Sequence, residues 1–213
     1  MIASDRTAGE PMTGEIGRIF LELKDIEPRI WRRFEVSLTT NLRALHEIIQ
    51  VVMPWEGYHL YQFTVGERVY GEPDPEGAAW GRKVFHAKNM RISALVERGV
   101  TELDYTYDFG ESWQHRIVIE DIGAASLGVD YPQYLGGERT APPEDVGGPP
   151  GFMAFVEALA NRRHPEHKDM VRWIGGPFNP VDFNEAAIAS IVRDIAHKRM
   201  VAVQSFEKSR QKR

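Results

Sequence analysis

Apolar residues along this chain switch between alternation and helical recurrence, and the switches predict its elements. Ile19, Leu21 and Leu23 alternate with Phe20, Glu22 and Lys24, which reads as a strand. Pro28 interrupts it before a second strand, Ile30 to Val36, and the two form a hairpin. Leu42, Leu45, Ile48, Ile49 and Val52 then recur at helical spacing, with Thr40 and Asn41 as capping candidates and Pro54 as the stop. Alternation returns from His59 to Val65, turns at Gly66-Glu67 and continues from Arg68 to Tyr70. A third hairpin joins Leu103–Phe109 to Trp113–Glu120 around Gly110. The Gly/Pro-rich segments 71–81 and 122–151 show little periodicity; the first suits a lid or contact loop, and the length of the second points either to function or to a wrong assignment as loop. Helices follow at Phe152–Ala160, at Pro165–Ile174 and from Pro180 onward, where Asn179 is placed to cap and Ile188, Ile191, Val192 and Ile195 form the stripe. Strands early and helices late predict an α+β fold: a curved, mainly antiparallel sheet with helices packed on one side and C-terminal helices.

Strand parity also sorts side chains in the third hairpin. A three-residue loop, Gly110 to Ser112, pairs Phe109 with Trp113 and Tyr107 with His115, so both apolar sets share a face. That register sends His115 into the core and leaves Asp108 on the opposite face beside Gln114, which disfavours an Asp108–His115 catalytic pair.

Composition narrows the classes. The 213 residues are 42% hydrophobic and 27% charged, which suits one compact soluble domain over 15–200, with a disordered leader at 1–14 and a basic tail at 201–213. No apolar run suggests a membrane span or a secretory signal, so a cytoplasmic protein is expected. With no cysteine there is no thiol nucleophile and no thiolate metal site. The net charge of -5 divides into -10 before His197 and +5 from it onward. An acidic body repels phosphate backbone, so any contact with nucleic acid must run through the tail or a local patch.

Asp108-Phe109-Gly110 matches a kinase magnesium motif, but the phosphate loop, strand lysine and catalytic loop that give it meaning are missing. No GxSxG elbow, Walker A loop or GxGxxG fingerprint occurs, so no cofactor and no metal are expected. Three histidines, His46, His59 and His115, are able to meet as a zinc-type set, though without a tight ligand spacing. His164 and His167, near Glu166 and Asp169, read better as a polar first turn. Glu144 and Asp145 sit side by side on a Pro/Gly-stiffened loop, placed for acid–base work or for capping the helix that follows. Aromatic and charged residues interleave in three loops or loop edges, at 30–34, 54–59 and 109–115, the composition of binding hot spots and equally of core filler at strand ends. The candidate binding residues are therefore Trp31, Arg32, Arg33, Trp55, His59, Asp108, Glu111, Trp113, His115, Glu144 and Asp145.

In order and spacing, PRIWRRFEV, LRALHEIIQVVMPWEGYHLYQF, YGEPDPE, YTYDFGESWQH, YPQYLGGERTAPPEDVGGPPGF and HPEH resemble the plasmid pRiA4b ORF-3-like family. The likeness runs from Ile16 to about Ile195. It implies a small α+β domain associated with plasmids and insertion elements, some of whose members carry a resolvase-like TnpR label. The nucleophilic Ser and Arg cluster of serine resolvases have no counterpart here. Family members often carry Cys where this chain has Tyr134, Ala141 and Val146, so any thiol-held metal of relatives is lost; Pro54 stands where Met-Gly-Trp is usual. The leading expectation is a non-enzymatic binding module that grips a protein, peptide or nucleic-acid segment in an aromatic and charged groove. The alternative is a metal-assisted hydrolase using His59, Asp108, Glu111, His115, Glu144 or Asp145. A scaffold that dimerises through the long terminal helix is a third.

Overall fold

A computed structural model describes residues 14–73 and 83–211. Most of the expected loop at 71–81 and all but the last residue of the expected leader lie outside them. Eight strands form one curved, open sheet: β1 (Glu15–Leu23), β2 (Ile30–Ser37), β3 (Tyr61–Val65), β4 (Arg68–Gly71), β5 (Val84–His86), β6 (Glu102–Tyr107), β7 (Trp113–Ala124) and β8 (Gln133–Glu138). Their order is β5-β4-β3-β6-β7-β1-β2-β8. Neighbours are antiparallel except β4 and β5. The helices are α1 (Leu42–Val52), α2 (Ile92–Val96), α3 (Gly148–Ala160), α4 (His167–Ile174) and α5 (Glu185–Gln211). The fold is α+β.

Period-two alternation explains the sheet's two faces. Ile19, Leu21, Leu23, Phe34, Val36, Tyr105, Tyr107, Trp113, Ile117 and Ile119 are buried on one face, where Leu42, Leu45, Ile48, Ile49 and Val52 of α1 join them in a single core. The opposite face is laced with ion pairs, Arg18–Glu35 at 2.9 Å, Arg33–Glu120 at 2.8 Å and Arg116–Glu102 at 2.7 Å. Asn41 caps α1 by accepting a hydrogen bond from the Ala44 amide at 2.9 Å.

Several details depart from the sequence pattern. The third hairpin turns through five residues, 108–112, so Tyr107 faces Trp113 and Tyr105 faces His115. Asp108 and Ser112 both take left-handed backbone, φ 53° and 57°, which lengthens the turn without changing parity. The segment 30–34 lies within a strand rather than at a loop edge, so its side chains divide between the two faces. The stretch after Ile122 contains β8, an edge strand whose paired glycines hid it. The last helix opens at Glu185, because Asn179 and Asp182 accept from the Val181 and Asn184 amides in successive turns before it. Residues 201–211 continue that helix.

Candidate functional site

Three loops converge at one end of the sheet. The first follows α1: Trp55 folds into the core, its ring 5.0 Å from Tyr107 and 5.3 Å from His115, and its indole N–H donates to the Pro142 carbonyl at 2.8 Å. This one side chain ties the 54–60 loop both to the sheet and to the 140–145 segment. Gly57, at φ 74°, lies between Trp55 and His59, which stands just before the start of β3. The second loop starts where β6 ends. The Asp108 amide donates to the Leu60 carbonyl, while its Oδ1 accepts from the Gly110 and Glu111 amides at 2.9 and 3.3 Å. Such an aspartate stabilises a tight turn with one oxygen and keeps the other free. The third loop is the Pro-Pro-Glu-Asp segment, anchored where Glu144 Oε1 accepts from the Glu56 amide at 2.9 Å and the Tyr107 hydroxyl at 3.0 Å.

The free oxygens gather around one nitrogen. His59 Nε2 lies 3.5 Å from Asp108 Oδ2, 3.8 Å from Glu144 Oε2 and 3.3 Å from Asp145 Oδ1. Nε2 and Glu144 Oε2 are both shielded from solvent and have no hydrogen-bond partner. Among the described residues, one ligand atom from each of His59, Asp108 and Asp145 lies within 4.8 Å of the others, the one such cluster found. Like charges about 4 Å apart repel by about 1 kcal/mol in water and by about 4 kcal/mol at an effective dielectric of 20. An imidazole nitrogen and three carboxylates so arranged suit a shared cation. Tyr58 donates its hydroxyl to Asp145 Oδ2 at 2.8 Å, and that bond raises the phenol pKa well above its ordinary value.

Glu111 stands behind the cluster. Its carboxylate accepts from the Trp113 indole N–H at 2.9 Å and from the Gly147 amide, so it joins the hairpin turn to the start of α3. A Cβ on Gly148, whose φ is 68°, would meet the Glu111 carbonyl oxygen at 2.7 Å, so only glycine allows this approach. Glu144 and Asp145 do not cap α3; Gly147 occupies the cap position.

The other sequence candidates lie elsewhere. Trp55 and Trp113 are buried core residues, and Trp55 also forms part of the wall of an open cavity shared with Pro54, Phe178 and Phe183. His115 is wholly enclosed, with Nδ1 3.1 Å from the Trp113 carbonyl oxygen, and burial pushes its pKa down to about 3. His46 Nδ1 faces the Tyr105 hydroxyl at 2.8 Å, and burial, aided by Arg43, lowers its pKa to about 4. The three imidazoles His46, His59 and His115 form no ligand cluster. His164 and His167 spend their Nδ1 atoms on backbone groups of Glu166 and Ala158. Trp31 and Arg33 occupy the outer sheet face, where Trp31 donates to Glu138 at 3.0 Å. Arg32 points the other way and is fully buried, donating to the carbonyls of Val52, Trp31, Glu138 and Arg139. Burial lowers its pKa to about 10. Arg32 therefore anchors the strand leading to Glu144 and Asp145 against the end of α1. Tyr58 was not among the candidates; its place in the aromatic Trp-Glu-Gly-Tyr-His segment was the available signal.

The model of the plasmid pRiA4b ORF-3-like protein family matches residues 15–187, which include all three loops. The chain belongs to that family. The chain is similar to the uncharacterized protein y4hQ of Sinorhizobium fredii (strain NBRC 101917 / NGR234), 35% identical over 189 residues, covering 88% of this chain and 95% of the relative. A protein of unknown function from Methanosarcina mazei Go1, MM3350, has a similar crystal structure, with TM-score 0.74 and 33% identity over 81% of this chain and 96% of that one. No described helix is long and apolar enough to cross a membrane.

Proposed function

We propose that this pRiA4b ORF-3-like domain is a metal-assisted hydrolase whose divalent cation is held by His59, Asp108 and Asp145, with Glu144 as the general base. The observation that carries this reading is the solvent-shielded, unpartnered Nε2 of His59 facing three carboxylates from two other loops. Imidazole suits Zn²⁺ and carboxylate oxygens suit Mn²⁺, whereas a soft ion such as Cu⁺ finds no sulfur ligand here. Three protein ligands would leave positions open for water, and the cation would supply the Lewis acidity that makes that water more acidic. Glu144 Oε2, at the edge of the cluster, would accept the water's proton and return it to the leaving group as the scissile bond breaks.

The apolar rim is what the side-chain placement favours in the binding-groove expectation. Tyr58, Leu60 and Phe109 flank His59 and Asp108 in sequence and are 54%, 64% and 52% exposed, an outlay of apolar surface suited to substrate contact.

The test is titration of chelator-stripped protein with Mn²⁺ and Zn²⁺ by calorimetry, with p-nitrophenyl acetate turnover followed in parallel. One equivalent of ion binds to the native chain, and His59→Ala and Asp108→Asn each weaken it at least 100-fold. Glu144→Gln keeps ion affinity within about tenfold and loses most of the turnover. A native chain that takes up no stoichiometric ion overturns the proposal.

A further inference from the structure

A cavity of about 280 Å³ opens beside Asp145, between the start of α3 and α4, and is lined by Val146, Ala154, Phe155, Met170 and Trp173, with Asp145 and Glu166 also in its wall. Both charged groups lining it are acidic, and no cation lines it. Its walls are apolar and aromatic, with Trp173 set edge-on to Phe155 at 5.6 Å and itself partly exposed. Glu166 spends no side-chain hydrogen bond on capping α4, so its carboxylate is available to a ligand. The Glu166 carboxylate and an indole in the wall select a cationic group on a short apolar stem: the carboxylate pairs with the charge, the ring attracts it, and the walls bury the stem. The acidic body of the chain attracts such a ligand at long range.

We propose that this cavity is the substrate subsite for an amine-bearing apolar side group, presented next to the cation held through Asp145. The role as a substrate subsite rests on the hydrolase reading above; the amine preference of the cavity does not. Benzylamine is the probe, with benzyl alcohol as its uncharged isostere and benzoate as its opposite, titrated against isotope-labelled protein by NMR in chelator and again with saturating Mn²⁺. Benzylamine is expected to shift the Trp173 indole resonance and to bind at least tenfold more tightly than benzyl alcohol, with benzoate weakest. Glu166→Gln, at an exposed position with no side-chain partner, cuts that preference to about twofold or less. Asp108→Asn, outside the cavity, keeps amine binding and loses Mn²⁺. Equal binding of benzylamine and benzyl alcohol, or a preference that survives Glu166→Gln, overturns the amine subsite. Amine binding in a chain that takes up neither Mn²⁺ nor Zn²⁺ refutes the hydrolase reading and leaves the cavity's selectivity standing.

Discussion

His115 packs against Trp55 and His59 against Tyr107, two rings stacked on each other, yet the chain treats the two imidazoles in opposite ways. His115 sits mid-strand, where alternation fixes its direction, and it is sealed among Tyr105, Trp55 and Trp113 with a pKa of about 3. His59 sits in a loop pinned by Trp55, where nothing periodic governs it, and its side chain keeps a quarter of its surface exposed beside three carboxylates. Strand interiors place an imidazole by parity, whereas loops place it by the contacts of their neighbours. A histidine's chemistry in this domain therefore follows from which kind of backbone carries it.

Replacing each histidine by alanine gives the largest contrast. His115→Ala opens a cavity in a close-packed core and is expected to lower unfolding free energy by about 3 kcal/mol, read from urea denaturation. His59→Ala, in a half-open loop, is expected to change stability by less than about 1 kcal/mol while abolishing ion uptake. Equal destabilisation by the two changes would make His59 a packing residue and break the comparison.

Acid sharpens it next. Burial depresses the folded-state pKa of His115 and of His46 below the ordinary 6.5, to about 3 and about 4. The unfolded chain therefore binds protons that the native chain refuses, so stability present above pH 6.5 is lost as pH falls toward those values. Each buried histidine contributes a slope of up to about 1.4 kcal/mol per pH unit in that window. Denaturation of the native chain and of His46→Gln between pH 4.5 and 6.5 is expected to differ by about one proton's worth of slope. Parallel slopes would mean that His46 is solvated in the native state.

Much of this division was legible in the chain. The alternation in β1, β2, β6 and β7, the spacing in α1 and the Gly66-Glu67 turn all predict what the structure contains, because each reflects a local rule of burial or backbone geometry. The hairpin register slipped by two residues because the left-handed backbone at Asp108 and Ser112 is an outcome of Asp108's own hydrogen bonds, which spacing does not reveal. β8 escaped notice because Leu135-Gly136-Gly137 has no alternation and its strand is held by pairing to β2. His59, Asp108, Glu144 and Asp145 each stood out singly. Their meeting depends on Trp55 reaching Pro142 and on Glu56 reaching Glu144, long-range contacts that no periodicity encodes.

The smallest expected effect asks whether scaffold and site are separable. Asn41 caps the far end of α1, eleven helical residues from the loop that carries His59, a rise of about 16 Å. Asn41→Ala leaves the Ala44 amide without its side-chain acceptor and is expected to lower stability by about 1 kcal/mol. Its Mn²⁺ affinity is expected to stay within twofold of the native value, because the site's loops are held by Trp55, Glu56 and Arg32 and not by the first turn of the helix. If calorimetry instead shows ion affinity falling in step with stability, α1 transmits strain along its whole length and the two regions are one cooperative unit.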